Sequence, residues 1–353
     1  MGKVGQFLQK KNVTFSLKRY GIDALGAMAQ GLFASLLIGT ILDTIGTQLG
    51  VSILCEIASY AKAVTGVAMA VAIGYALQCP PLVLFSLAAV GQAANTIGGA
   101  GGPLAVYVVA TIAAEVGKIV SKETKIDIIV TPIVTIGVGV LLSIWCAPYI
   151  GQAASAVGGA IMWATELQPF LMGILVSVFV GIALTLPISS AAICAALGLT
   201  GLAGGAAVAG CCAQMVGFAV MSFRENRWGG LLAQGLGTSM LQMGNIVRNP
   251  RIWIPPTLAS AITGPIATCL FRLEMNGPAV SSGMGTCGMV GPIGVYSGWV
   301  ADVANGVKAA IGAADWIGLA LIAIVLPAVL TWAFGVICRK IGWIGENDLK
   351  LDL

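Results

Sequence analysis

Residues 127–149 read Asp127-Ile128-Ile129-Val130-Thr131-Pro132-Ile133-Val134-Thr135-Ile136-Gly137-Val138-Gly139-Val140-Leu141-Leu142-Ser143-Ile144-Trp145-Cys146-Ala147-Pro148-Tyr149, with one charge, Asp127, at the very start. A helix needs about 20 apolar residues to cross the hydrocarbon of a bilayer, so this stretch reads as a membrane span. Outward from it, the pattern repeats. Apolar stretches at 22–44, 58–77, 81–98 and 102–119 precede it, and stretches at 168–186, 188–203, 205–223, 252–272 and 314–338 follow. Together they predict an all-α polytopic membrane protein of about ten transmembrane helices. Composition agrees: 58% of the chain is hydrophobic and only 9% charged, against roughly a quarter charged in a soluble domain. The 48 glycines among 353 residues fit helices that must pack backbone to backbone.

Basic residues set the orientation. They cluster at Lys3 to Arg19, Lys118 to Lys125, Arg224 to Arg227, Arg248 to Arg251, and Arg339 with Lys340. The positive-inside rule places these clusters, and both termini, in the cytoplasm of a bacterial plasma-membrane protein. Cysteines introduced at 122 and 226 are expected to escape a membrane-impermeant thiol reagent applied from outside; strong labelling of either would refute this orientation. The N-terminal stretch reads as a basic amphipathic segment on the inner leaflet, without the apolar core of a secretory signal. The net charge of +4 follows from this cytoplasmic bias and predicts no nucleic-acid partner.

The expected organisation is a cytoplasmic segment 1–21, four-span blocks 22–126 and 127–224, a connector 225–251, C-terminal spans 252–340 and a tail 341–353. Segments 150–165 and 230–247 are mixed in polarity and read as surface helices or connectors packed on the bundle. The two blocks share phrases. Gly74 to Pro80 parallels Gly181 to Pro187, and Gly98-Gly99-Ala100 parallels Gly204-Gly205-Ala206, at an offset of about 106 residues. A parallel tandem repeat is expected.

Two Gly-rich breaks interrupt the spans: 95–103, and a longer one over 276–297 that holds Asn276, Ser282, Gly283, Gly285 and Thr286. Irregular backbone at membrane depth is tolerated where it lines a cavity or is buried in protein. Exposed backbone groups there would suit solute hydroxyls, so these residues and Asn95 are candidate substrate contacts. Glu166, with Gln168 beside it, lies at the mouth of span 168–186, where it reads as a substrate acceptor or a helix N-terminal charge. Glu274 is a candidate at the threshold of the second break. Glu115 and Lys118, at i,i+3 spacing, read as a pair on one helix face. Asp302 and Asp315 read as loop charges. Gln92 and Asn95 share a face, and Gln214 and Ser222 read mainly as helix–helix hydrogen-bonding groups. Trp163, Trp228, Trp253, Trp316 and Trp343 fall near span ends, as an aromatic belt would.

The nine cysteines have no ligand spacing and histidine is absent. No metal, cofactor or self-contained catalytic site is expected.

The phrases Gly98-Gly99-Ala100-Gly101-Gly102-Pro103, Gln168-Pro169-Phe170-Leu171-Met172-Gly173-Ile174-Leu175, Leu186-Pro187-Ile188-Ser189-Ser190-Ala191-Ala192-Ile193 and Gly283-Met284-Gly285-Thr286 resemble the EIIC-like membrane proteins of the phosphotransferase system, and within them the perfringolysin-regulator (PfoR) type. The resemblance implies a sugar-permease-like fold, often a homodimer, with re-entrant hairpins about a substrate site. It implies a small polar solute, a sugar first, and phosphate donation from a separate EIIB-type partner at the cytoplasmic face, with EIIA also separate. A glutamate and a histidine contact the sugar in related permeases. No histidine exists here to take that part, and Glu166 matches the glutamate by character only. Two alternatives stand beside a permease: a membrane-embedded solute sensor that regulates gene expression, and an ion-coupled carrier of a small organic anion.

Overall fold

The computed structural model describes residues 3–351. Residues 1, 2, 352 and 353, parts of the expected N-terminal segment and tail, lie outside the described residues. Among the described residues helices make up nearly all regular structure, and the one β-type pairing is an isolated bridge between Gly201 and Met275. Among the described residues five helical stretches are long and apolar enough to cross a membrane, counting Pro81–Val120 as one, or six if the bent pair Ser52–Ala63 and Thr65–Ala76, angled at 51°, is one span. The protein is therefore an all-α, multi-pass membrane protein.

The chain divides into two compact units, Met1–Gly46 with Gly50–Ala153, and Thr47–Leu49 with Ala154–Leu353. In the first unit, α1 (Lys3–Lys10) precedes the long α2 (Lys18–Leu49), then α3 (Ser52–Ala63) and α4 (Thr65–Ala76). Next come α5 (Pro81–Gly98) and α6 (Gly102–Val120), which pack face to face as a hairpin. The reversal rests on Gly99, whose φ of +51° a side-chain-bearing residue rarely adopts. The apolar stretches at 81–98 and 102–119 are thus two separate helices. Small residues draw this unit together. A Cβ on Gly66 of α4 would stand 2.4 Å from the carbonyl oxygen of Gly91 on α5. Such contact between backbones replaces the hydrophobic drive that lipid does not supply.

Helix α7 (Asp127–Thr165) has 39 residues, well beyond the roughly 20 that the hydrocarbon core requires. Residues 150–165, expected as a separate surface helix or connector, are instead its last turns. The polar residues there are scattered singly among Ala and Gly and do not break helical propensity.

In the second unit, α8 (Pro169–Thr185) is followed by α9 (Ser190–Ala196), then α10 (Gly201–Met221). The expected span at 188–203 does not form: α9 has seven residues and ends in a turn where Gly198 and Gly201 have φ of +60° and +63°. Local glycine conformation overrides the apolar composition there. Helix α10 is buried along nearly its whole length, packed by α8, by α13 (below) and by the C-terminal helix. The connector consists of α11 (Phe223–Leu232), short tight turns, and α12 (Met243–Arg248), with Thr238 to Ile246 buried on the bundle. Helices α13 (Ile254–Pro265), α14 (Val290–Ala304) and α15 (Ala313–Lys340) complete the unit.

Candidate functional site

The longer break begins where the helical turns continuing α13 end, at Phe271. Arg272 takes a φ of +46°, and residues 273–276 then run without helix, Met275 forming the isolated bridge. This segment is held on two sides. Met275 and Gly201 exchange backbone hydrogen bonds of 2.9 and 3.0 Å. On the other side Gly294 and Gly298, four apart on α14, clear a groove: a Cβ at Gly298 would meet the backbone of Asn276 at 2.8 Å, and one at Gly277 the oxygen of Gly294 at 2.2 Å. The chain then coils through Ala279–Gly283 and reverses over Gly285, Gly288 and Met289, all at positive φ, into α14.

The buried half of the break is committed to packing. The Ser282 hydroxyl donates to the Leu199 carbonyl at 2.6 Å, and the Ser190 hydroxyl donates to the Gly283 carbonyl at 2.7 Å. Gly285 abuts Cys211 and Cys212 of α10, and the Thr286 hydroxyl donates to the Met215 sulfur at 3.7 Å. Backbone groups at this break are thus satisfied by protein, one of the two environments in which irregular backbone survives at membrane depth.

The polar half opens onto a cavity of about 300 Å³ lined by Arg272, Glu274, Trp299, Asp302, Lys308 and Asp315, among others. The Asn276 amide donates to Asp302 at 2.9 Å and to Glu274 at 3.2 Å, holding two carboxylates at the rim. Lys308 pairs with Asp315 at 2.6 Å and stands over the Trp299 ring, 5.5 Å from its centroid. Asp315 also accepts from the Gly312 backbone amide at 2.8 Å, closing the N-terminus of α15. The chain has few charges, yet five of them meet here, a set of donors and acceptors that suits a hydroxyl-bearing solute.

Of the residues expected from sequence, Glu274 lines this cavity and Asn276 flanks it, whereas Ser282, Gly283, Gly285 and Thr286 are not in its lining and pack against α9, α10 and the turn between them. Glu166 and Gln168 are exposed in the turn before α8, and the Glu166 carboxylate has no partner among the described residues. Asn95 belongs to the first unit, on α5, half-buried beside Gly66 and Gly102. Sequence reasoning passed over Asp302 and Asp315, read as loop charges, and over Trp299 and Lys308. Their signal was the bunching of three charges within 302–315 of a charge-poor chain.

Other polar groups serve the scaffold. Buried Gln214 accepts from Trp253 Nε1 at 2.9 Å and from the Thr185 hydroxyl at 3.2 Å, joining α8 and α10 to the start of α13. Trp253 is therefore a tether as well as a residue near a span end. Ser222 accepts from Gln234 at 2.8 Å. In the first unit Glu115 and Lys118 pair at 2.6 Å, as their spacing predicts, inside a larger buried cluster. Arg19 reaches Glu115 at 3.3 Å and the Tyr20 hydroxyl donates to it at 3.2 Å. Lys118 donates to the carbonyls of Asn12 and Leu77, and Arg19 donates to the same two. The N-terminal segment is latched by these bonds to the ends of α4 and α6. Beyond the spans, Lys11 pairs with Glu123 and its hydrogen bond holds that carboxyl below its usual range.

A protein-family model described as "Phosphotransferase system, EIIC" matches residues 22–351. No curated protein and no solved structure gives a match.

Proposed function

Because the chain belongs to the phosphotransferase-system EIIC family, whose members are the sugar-specific membrane permease components working with EIIA and EIIB proteins, we propose that the cavity framed by Glu274, Asn276, Asp302 and Trp299 is where this permease holds its sugar. One observation carries the assignment: Asn276 bridges two carboxylates at the rim of a pocket that Arg272, Lys308 and Asp315 also line. Carboxylates accept from sugar hydroxyls, and the cationic groups can donate to them. The volume lies at the small end of ligand pockets, suited to a monosaccharide-sized solute.

The proposal keeps Glu166 and Gln168 as a further contact region for the solute, and Asn95, in the first unit, as a separate candidate contact. It keeps both termini cytoplasmic, a homodimer, and separate EIIA and EIIB proteins that supply phosphate. Sugar binding to the purified protein tests the cavity. Glu274→Gln and Asp302→Asn each remove a charge and keep shape. Each is expected to weaken binding by about ten-fold, the value of one charge-assisted hydrogen bond. Unchanged affinity in both variants would remove the cavity from the site.

A second reading, the perfringolysin-regulator type of solute sensor, is favoured by the order of the connector. Asn226 and Gln242 donate to the Leu349 carbonyl, Asn245 to that of Lys350, and Asn249 to Asp348. The tail is thereby pinned on the connector as one polar surface suited to a docked partner. Sugar binding without uptake into vesicles supplied with the soluble phosphotransferase proteins would select the sensor.

A further inference from the structure

At the far end of α10 from the 273–276 segment lies a second cavity, of about 450 Å³, lined by Val220, Met221, Phe223, Arg224, Arg227, Leu231, Trp332, Gly335, Val336 and Arg339. We propose that it is a binding site for an anionic phospholipid, with the headgroup phosphate between Arg224 and Arg227 and an acyl chain along Trp332 and Val336.

The charge bookkeeping leaves room for an anion. Arg339 is already matched, at 2.6 Å, by Glu225. Arg224 has only a loose contact with Glu346 at 3.7 Å, both side chains being largely exposed. Arg227 has no partner among the described residues. Its backbone, at φ +52° and ψ −149°, lies where a non-glycine residue sits only under constraint, and such conformations gather at ligand clamps. Two under-used guanidiniums at one mouth match a phosphate, which arginine binds in a planar fork.

The rest of the wall selects the source of that phosphate. Val220 and Met221 end α10, while Trp332, Gly335 and Val336 belong to α15, a span. Trp332 precedes Arg339 by seven residues, about 10 Å along the helix, and is 59% exposed. The cavity is cationic at one end and apolar down the flank of a span, which is the polarity of an amphiphile. A free phosphate would leave the apolar flank unused. Basic pockets beside spans are the general form of anionic headgroup sites.

The full chain, purified in detergent, would be titrated with bromine-labelled phosphatidylglycerol while tryptophan fluorescence is followed. Saturable quenching is expected, reduced in Trp332→Phe and absent with labelled phosphatidylcholine. Arg227→Gln should weaken the lipid about five-fold and Arg224→Gln/Arg227→Gln about 25-fold, since each basic residue near a headgroup contributes roughly one such factor. Arg227→Lys should recover part of the loss. Both arginines are exposed, so the variants keep the fold. Millimolar inorganic phosphate should not displace the lipid. Displacement by phosphate would make this a free-anion site, and wild-type affinity in the double variant would discard the proposal. Were that variant instead to keep its lipid but lose uptake driven by the soluble phosphotransferase proteins, these arginines would belong to a protein partner and the lipid assignment would fall. None of these outcomes depends on the sugar cavity, which Glu274→Gln reports separately.

Discussion

Glu115→Gln should destabilise the protein by about 3–5 kcal/mol, the cost of removing one partner from a buried ion pair. The effect is large because Glu115 is the one carboxylate facing two cations. Lys118 is 2% exposed, and Arg19 is held beside it by the same carbonyls. Glutamine keeps the volume but leaves both charges without a counter-ion where water does not screen them. Removing Lys118 alone is milder, since Arg19 still faces Glu115. The double variant Glu115→Gln/Lys118→Met should therefore recover much of the lost stability. The measurement is resistance to unfolding by heat or SDS in micelles. A second readout is independent of global stability. Because the cluster latches residues 12–20 to α4 and α6, the single variant should expose Lys10, Lys11 and Lys18 to faster tryptic cleavage. A Glu115→Gln protein as stable and as protected as wild type would show that the cluster is not what holds the segment.

Gly205→Ala is expected to cost about 3 kcal/mol, at the top of the overpacking range. Its Cβ would stand 1.7 Å from the carbonyl oxygen of Leu273 and 2.8 Å from the carbonyl carbon. Both are backbone atoms, and that backbone is pinned a few residues away by the Gly201–Met275 bridge. No side chain can rotate aside, so α10 and the 273–276 segment must separate. Glu274 follows Leu273 directly, so sugar affinity should fall together with the unfolding temperature. Gly137→Ala is the control. Nothing lies within 4 Å of that Cβ, so the change should be neutral or stabilise by up to about 1 kcal/mol. Equal behaviour of the two variants would mean that the close approach at Gly205 does not constrain the protein.

Much of the architecture was readable because membrane folds obey strong local rules. Low charge and long apolar stretches give the class, and Gly98 to Pro103 marks the α5–α6 reversal. The i,i+3 spacing of Glu115 and Lys118 gives their contact. The break at 276–292 was legible as a break, since no helix keeps that density of glycine. What stayed hidden depends on distant partners. Asp302 and Asp315 look like loop charges until Asn276 and Lys308 are brought to them across the fold. Arg19 looks like an inner-leaflet charge until the chain returns Glu115 to its side. At 188–203 apolar composition masked a chain reversal, because composition reports what a segment tolerates and not the φ of Gly198. At 150–165 isolated polar residues suggested an ending that helical propensity did not supply.

The close crossings in the second unit bear on how it can move. A Cβ at Gly210 would meet the backbone of Ser177 at 1.9 Å, and one at Gly264 the oxygen of Gly173 at 2.0 Å. These contacts tie α10 to α8 and α8 to α13 at single residues rather than through pliant side chains. Sliding any of the three by one position would drive a neighbouring Cβ into a carbonyl. Intermediate offsets are thus sterically barred, and packed interiors do not deform continuously to absorb them. The three helices must rotate or translate as a single rigid lever. Any rearrangement within this unit has to be taken up where backbone is not wedged against backbone, as in the turn after α9, where nothing lies within 4 Å of a Cβ on Gly198.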